Sequence, residues 1–111
     1  MTLDIRRSTQ FKKDLKKVIK QRRNLKLLED IVQKLRHVEP LKSKHRDHLL
    51  VGDWNGHREC HINPDWLLNY KVDEELELLR LMRTGSHSDL FRLSNSNVAS
   101  RKFLPQLPNA A

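Results

Sequence analysis

The spacing of the apolar residues changes once along the chain, and this change restricts the fold more than any other feature. Between Phe11 and Leu35 the apolar residues recur every three or four positions, which is the period of helices that pack against a core. From His57 onward they alternate with polar residues or form short apolar runs, as in strands. Helices followed by strands predict an α+β domain with a helical hairpin on one side of an antiparallel sheet.

The first part of the chain is predicted to form one short strand and two antiparallel helices. Residues 2–6 alternate between polar and apolar side chains, as in a strand. Ser8 or Thr9 can cap the first helix, because a hydroxyl oxygen accepts a hydrogen bond from a free amide of the first turn. Pro40 ends the second helix. The apolar residues of the two helices are Phe11, Leu15, Val18 and Ile19, then Leu25, Leu28, Ile31, Val32 and Leu35.

Three further strands are predicted over residues 57–62, 66–72 and 76–82, after a polar loop over residues 41–53. The dipeptide Asn55-Gly56 favours a type I′ hairpin turn before the first of these strands. In that strand one face carries Arg58, Cys60 and Ile62, and the other carries His57, Glu59 and His61. The sheet is therefore expected to have one polar face that is rich in histidine.

The end of the chain is predicted to contain a helical turn and a flexible tail. Thr84-Gly85-Ser86 interrupts the last strand, and Ser86 with Asp89 forms a capping-box pattern for a turn that carries His87. Residues 92–111 lack periodicity and contain two prolines, which is typical of a loose tail. The folded domain is therefore predicted to span residues 1–91.

Positive charge is concentrated in the first half of the chain. Residues 1–46 contain 15 Lys and Arg against 5 Asp and Glu, a net charge of +10, whereas the whole chain has a net charge of +8. Such a surface attracts polyanions and is typical of nucleic-acid binding, although a solvated lysine-rich helix is the alternative. The N-terminus carries charges where a signal peptide needs an apolar stretch, so a cytoplasmic protein without a membrane segment is expected.

Three segments resemble the YafQ branch of the RelE-like toxins. They are HLLVGDW at 48–54, GHRECHINPDW at 56–66 and RTGSHSDLF at 83–91. Leu49 stands where this branch commonly has proline, and the tail from Arg92 falls outside the resemblance.

This resemblance implies a ribosome-dependent endoribonuclease that enters the A site and cuts the mRNA codon there. It also implies an antitoxin that inhibits the toxin and, together with it, represses their promoter DNA. The residues that match catalytic positions of the family are His48, His61, Asp65 and His87, and Arg83, Trp66 and Phe91 match the same pattern.

These residue types suit RNA cleavage without a metal ion or any other cofactor. The reaction needs a base for the 2′-hydroxyl proton, a cation for the phosphate and an acid for the leaving 5′-oxygen. Histidine or Asp65 suits the proton transfers, and Arg83 suits the phosphate unless it forms a structural salt bridge. Phe91 offers a face for an unstacked base, whereas Trp66 suits either stacking or the core. Lys12, Lys13, Lys16 and Lys17 are expected to contact RNA backbone.

Two alternatives to the nuclease also fit the sequence. In the first, the basic helices bind nucleic acid and the histidines are incidental. In the second, His45, His48, His57, Cys60 and His61 supply metal ligands. Their spacing is loose, and Cys60 should point away from His57 and His61 on a strand, so we expect no metal site.

Overall fold

The computed structural model of the chain describes residues 2–90, which form two helices and a five-stranded sheet. The helices are α1 (Thr9–Lys20) and α2 (Leu25–Arg36). The strands are β1 (Asp4–Arg7), β2 (His48–Leu49), β3 (Arg58–Asn63), β4 (Trp66–Asp73) and β5 (Leu78–Gly85). The predicted α+β class is confirmed. Phe91 and the predicted tail over residues 92–111 lie outside the described residues.

The strand order in the sheet is β1-β5-β4-β3-β2. The pairs β3–β4 and β4–β5 are antiparallel, as predicted, whereas β1 runs parallel to β5. Strand β2, which pairs antiparallel with β3, corrects the prediction of a loop over residues 41–53. The last strand includes Thr84 and Gly85, the first two residues of the predicted break, because both pair with β4. Strand β5 is therefore the strand that joins the N-terminal segment to the rest of the sheet.

Polar caps and apolar faces position both helices on one side of the sheet. Ser8 Oγ accepts a hydrogen bond from the Phe11 amide at 2.9 Å, as the sequence predicted, and Asn24 Oδ1 accepts one from the Lys26 amide at 3.0 Å. The shared core contains helix residues Phe11, Val18, Leu28, Ile31, Val32 and Leu35 and sheet residues Cys60, Ile62, Leu68, Tyr70, Leu79 and Leu81. Neither helix combines the length and the apolar character that a membrane crossing requires.

The Asn55-Gly56 turn differs from the predicted type I′ geometry. Asn55 has φ −54° and ψ 135°, and Gly56 has φ 91°, the combination found in a type II turn. The hydrogen bond between the first and fourth residues of the turn is present, because the His57 amide donates to the Trp54 carbonyl at 3.0 Å. The turn lies at the end of the loop between β2 and β3, directly after a short 3-10 helix, Gly52–Trp54, so the residues on its two sides are not paired strand residues. The strand twist that favours type I′ therefore does not act on it.

The indole of Trp66 is fully buried in the core. Its Nε1–H donates to Thr84 Oγ1 at 2.9 Å, and the Thr84 hydroxyl donates to the Leu67 carbonyl at 2.8 Å. A ring that is closed off in this way has no face available to a base. The prediction that Trp66 contacts RNA is therefore wrong, and its alternative, a core residue, is correct.

A buried carboxylate, Asp14, closes the edge of β5 beyond the point where β1 ends. It accepts hydrogen bonds from Arg83 Nε at 2.8 Å and Nη2 at 3.1 Å, and from the Thr84 amide at 3.1 Å. The side chains of Asp14 and Arg83 are only 9% and 11% exposed. The last residues of β5 are thus bonded along this edge to α1 instead of to a strand.

We predict that Asp14→Asn lowers the free energy of unfolding by about 3 kcal/mol, because it leaves the buried Arg83 without its counter-charge. The measurement is urea unfolding of the isolated protein. Asp30→Asn is the matched control, since Asp30 pairs with Lys26 on the exposed surface of α2 and should change little. Equal losses in the two variants would contradict the role of Asp14.

Candidate active site

The sheet register aligns four polar residues in one row across the strands. His48 of β2 pairs with Glu59 of β3, Glu59 with Asn69 of β4, and Asn69 with Arg83 of β5. Directly opposite residues of antiparallel strands point to the same side of a sheet. His61, two residues after Glu59, lies on the same side, which is opposite the side covered by the helices. The predicted polar, histidine-rich face is therefore present.

His48 lies between two acceptors. Its Nδ1 is 2.6 Å from the carbonyl of Arg46, and its Nε2 is 3.6 Å from Glu59 Oε1. A carbonyl can only accept, so Nδ1 carries a hydrogen and donates it. Nε2 is thus the nitrogen that faces the carboxyl group of Glu59.

Glu59 is a residue of this site that the sequence reasoning did not single out. It is only 5% exposed, and burial raises its pKa to about 7, an effect that the nearby His48 partly opposes. Near neutrality this carboxyl group therefore exists in both protonation states. The alternation of β3, which puts Glu59 between His57 and His61 on one face, was the available signal.

His61 is the centre of the site. Its ring centroid is 6.5 Å from that of His87, and among the described residues its buried Nδ1 has no hydrogen-bond partner. Burial lowers its pKa, and electrostatic interactions with Arg46, His48 and His87 lower it further. The lowered pKa favours the neutral form of the His61 imidazole near pH 7. Three of the predicted catalytic histidines, His48, His61 and His87, thus share one neighbourhood.

The helical turn that begins at His87 is fixed at its start and on its side. Ser86 Oγ accepts from the Asp89 amide at 3.1 Å, and Asp89 Oδ2 accepts from the Ser86 amide at 3.4 Å, which confirms the predicted capping box. Lys17 Nζ of α1 lies 2.7 Å from Asp89 Oδ1 and lowers the pKa of Asp89 to about 2. All four lysines predicted to bind RNA, Lys12, Lys13, Lys16 and Lys17, are exposed, but Lys17 is also paired with Asp89 within the protein.

Two other predicted site residues have different partners. Asp65 is exposed in the turn between β3 and β4, where its Oδ2 is 3.5 Å from Nη2 of Arg23. Arg83 lies in the polar row, but its guanidinium is held by Asp14 through two nitrogens. This pair corrects the prediction that Arg83 binds phosphate, because its planar fork is already occupied. Arg83 forms the structural salt bridge that was its alternative.

The described residues contain no group of three His, Cys, Asp or Glu side chains that could hold a metal ion. Cys60 is buried in the core, and burial raises the pKa of its thiol. His45 donates from Nδ1 to the His61 carbonyl at 2.6 Å.

Residues 3–92 match the family described as the bacterial toxin of a type II toxin–antitoxin system, YafQ. The chain belongs to the YafQ toxin family. It is 39% identical over 89 residues to the mRNA interferase toxin YafQ of Escherichia coli K12, a match that covers 79% of this chain and 95% of that protein.

Two solved structures show the same fold at similar identity. One is the E. coli DinJ-YafQ toxin-antitoxin complex, with a TM-score of 0.74, 38% identity, and coverage of 82% of this chain and 99% of the matched one. The other is a metal-bound toxin from Helicobacter pylori, with a TM-score of 0.76, 45% identity, and coverage of 80% and 99%. The resemblance predicted from the three motifs is confirmed.

We predict that Glu59→Gln becomes more stable relative to the wild-type protein as the pH rises. The pKa of Glu59 is about 4.5 when unfolded and about 7 when folded, so the folded state is favoured at low pH and loses that advantage between these values. Above pH 7 the ionised, buried carboxylate costs about 3 kcal/mol, which the neutral amide avoids.

The measurement is the difference in unfolding free energy between variant and wild type at pH 5 and at pH 8, which cancels the titration of all other groups. Glu75→Gln in the exposed turn before β5 is the control. A difference for Glu59→Gln that does not change with pH would contradict the raised pKa of Glu59.

Proposed function

We propose that this chain is an endoribonuclease toxin that enters the ribosomal A site, cuts the mRNA codon there and so inhibits translation. The observation that carries the proposal is the neutral His61 ring beside His87, with His48 in the same neighbourhood. The relatives named mRNA interferase toxin support the same activity. The resemblance of the three motifs to the YafQ branch supports ribosome dependence and A-site cleavage.

The cleavage proceeds by attack of the 2′-hydroxyl on the adjacent phosphorus and needs no metal ion. A neutral imidazole such as His61 takes the 2′-hydroxyl proton while the new oxygen–phosphorus bond forms. The bond from phosphorus to the 5′-oxygen breaks, and His48 or His87 gives that oxygen a proton. Asp65 remains a candidate for a base or for a residue that orients a histidine, and Phe91 remains a candidate for base stacking.

An antitoxin partner is part of this proposal. E. coli YafQ forms a complex with DinJ, and we infer that this chain likewise binds an antitoxin of its own. The net charge of +10 on residues 1–46 favours an acidic partner, because opposite charges speed association. Contact with promoter DNA would then occur only through the toxin–antitoxin complex.

The alternative is a basic module that binds nucleic acid without cutting it. Lys12, Lys13 and Lys16 of α1, which are exposed and form no ion pair with any residue in the range 2–90, would suffice for such a module. It does not account for a buried carboxylate and a neutral histidine on the face opposite the helices, which is the reason to prefer the nuclease.

We predict that His87→Ala lowers single-turnover cleavage on mRNA-programmed ribosomes by about 10²–10⁴-fold, the usual value of one placed proton-transfer group. Ribosome affinity should hardly change, and one limb of the bell-shaped pH profile should disappear. His37→Ala, an exposed histidine at the end of α2, is the control. Cleavage by His87→Ala at the wild-type rate would refute the assignment, and an inactive wild type would favour the binding module.

We also predict that replacing Lys12, Lys13 and Lys16 with Gln weakens ribosome binding in a salt-dependent manner. Each lost phosphate contact should reduce the slope of log affinity against log salt by about 0.7–0.9. The measurement is ribosome binding at several salt concentrations, followed by single-turnover cleavage at saturating ribosomes, which should stay near the wild-type rate. A large loss of that rate would show that these lysines contribute to the chemical step.

A further inference from the structure

The loop before β2 places an arginine between two of the histidines. Arg46 follows His45, whose ring donates to the His61 carbonyl, and its own carbonyl accepts from His48 Nδ1 at 2.6 Å. Its backbone has φ 46° and ψ 46°, the left-handed conformation that non-glycine residues rarely adopt. The loop is therefore bonded to both histidines through the backbone around Arg46.

The residue after Arg46 is anchored on the other side of the sheet. Asp47 Oδ1 accepts hydrogen bonds from the Tyr70 hydroxyl at 2.5 Å and from Arg58 Nε at 3.2 Å. Both residues adjacent to Arg46 are thus bonded to the sheet. His45 is bonded to β3, and Asp47 is bonded to β3 and β4. A left-handed backbone costs about 1–2 kcal/mol, and these contacts keep the loop in that conformation.

The side chain of Arg46 is exposed and lacks a counter-charge within residues 2–90. None of the ion pairs among these residues includes it. Its charge nevertheless reaches the site, because it lowers the pKa of His61. Arg83, the arginine expected to bind phosphate, is held by Asp14 and is almost buried. Arg46 therefore has the free guanidinium that Arg83 lacks.

We propose that Arg46 binds the scissile phosphate and stabilises the negative charge that builds on it during cleavage. The planar guanidinium holds two phosphate oxygens at once and stays charged at any physiological pH. The loop contacts fix the starting point of this side chain relative to His48 and His61. The inference rests on the proposed nuclease function, and it adds the cation that the proposed acid and base require.

The first test compares three variants in single-turnover cleavage on mRNA-programmed ribosomes. Arg46→Gln should lose about 10²–10³-fold, the usual effect of removing one group that stabilises transition-state charge. Arg46→Lys should lose less, because it keeps the charge and loses the fork. Lys44→Gln removes an equally exposed charge two residues away and should cleave within threefold of wild type, roughly the scatter of a surface change. Arg46→Gln at the wild-type rate would overturn the proposal.

The second test needs no cleavage and so separates this inference from the proposed function. Inorganic phosphate is titrated into the protein while the ring resonances of His48 and His61 are followed by NMR. Phosphate should bind wild type and Lys44→Gln alike, and Arg46→Gln at least about tenfold more weakly, as expected for a lost hydrogen bond between charged groups. The pKa of His61 should also rise in Arg46→Gln.

The two readouts distinguish the failures. Wild-type protein that binds phosphate through Arg46 but leaves mRNA uncut on ribosomes contradicts the nuclease proposal and keeps the anion site. Equal phosphate binding by wild type and Arg46→Gln overturns the role of Arg46, whatever the cleavage assay gives.

Discussion

The ion pair between Asp14 and Arg83 holds the end of β5, and the position of the site depends on that strand. A strand edge with free amides needs a partner, and β1 supplies one only as far as Leu81. Beyond that point α1 and its N-cap supply the hydrogen-bond partners. The Ser8 hydroxyl donates to the Met82 carbonyl, and Asp14 accepts from the Thr84 amide. The same helix reaches the next turn through Lys17 and Asp89. The placement of His87 thus follows from contacts made by one face of one helix.

The register of the sheet then gathers groups from distant parts of the chain. Because β4 lies between β3 and β5, the turn after β5 comes near the end of β3, and His87 meets His61. The short strand β2 adds His48 opposite Glu59. The helices, which cover the other face, contribute apolar area to the core and charge to the exterior. The apolar core therefore lies on one side of the sheet, and the candidate catalytic residues lie on the other.

Sequence patterns predicted the features that depend on local spacing. The helical spacing of apolar residues predicted α1 and α2, and the alternation of residues predicted the two faces of β3. The capping patterns predicted the cap by Ser8 and the capping box of Ser86 and Asp89. Features that depend on partners far away in the chain were missed. Asp14 and Arg83 are 69 positions apart, and no local rule pairs them. Trp66 and Glu59 were misjudged or overlooked for the same reason, because burial is set by the whole sheet. The turn type predicted for Asn55-Gly56 was wrong, because it depends on whether the flanking residues are paired in strands.

The parallel pairing of β1 with β5 has a consequence for synthesis. Strand β1 is made first, but its partner, residues 78–81, emerges from the ribosome only after most of the chain has been translated. Contacts of such large sequence separation form late and slowly. The helix that begins next to β1 needs the same late strand, since Asp14 bonds to residues 83 and 84. The nascent chain therefore cannot complete the sheet that brings its histidines together until the residues of β5 have been made.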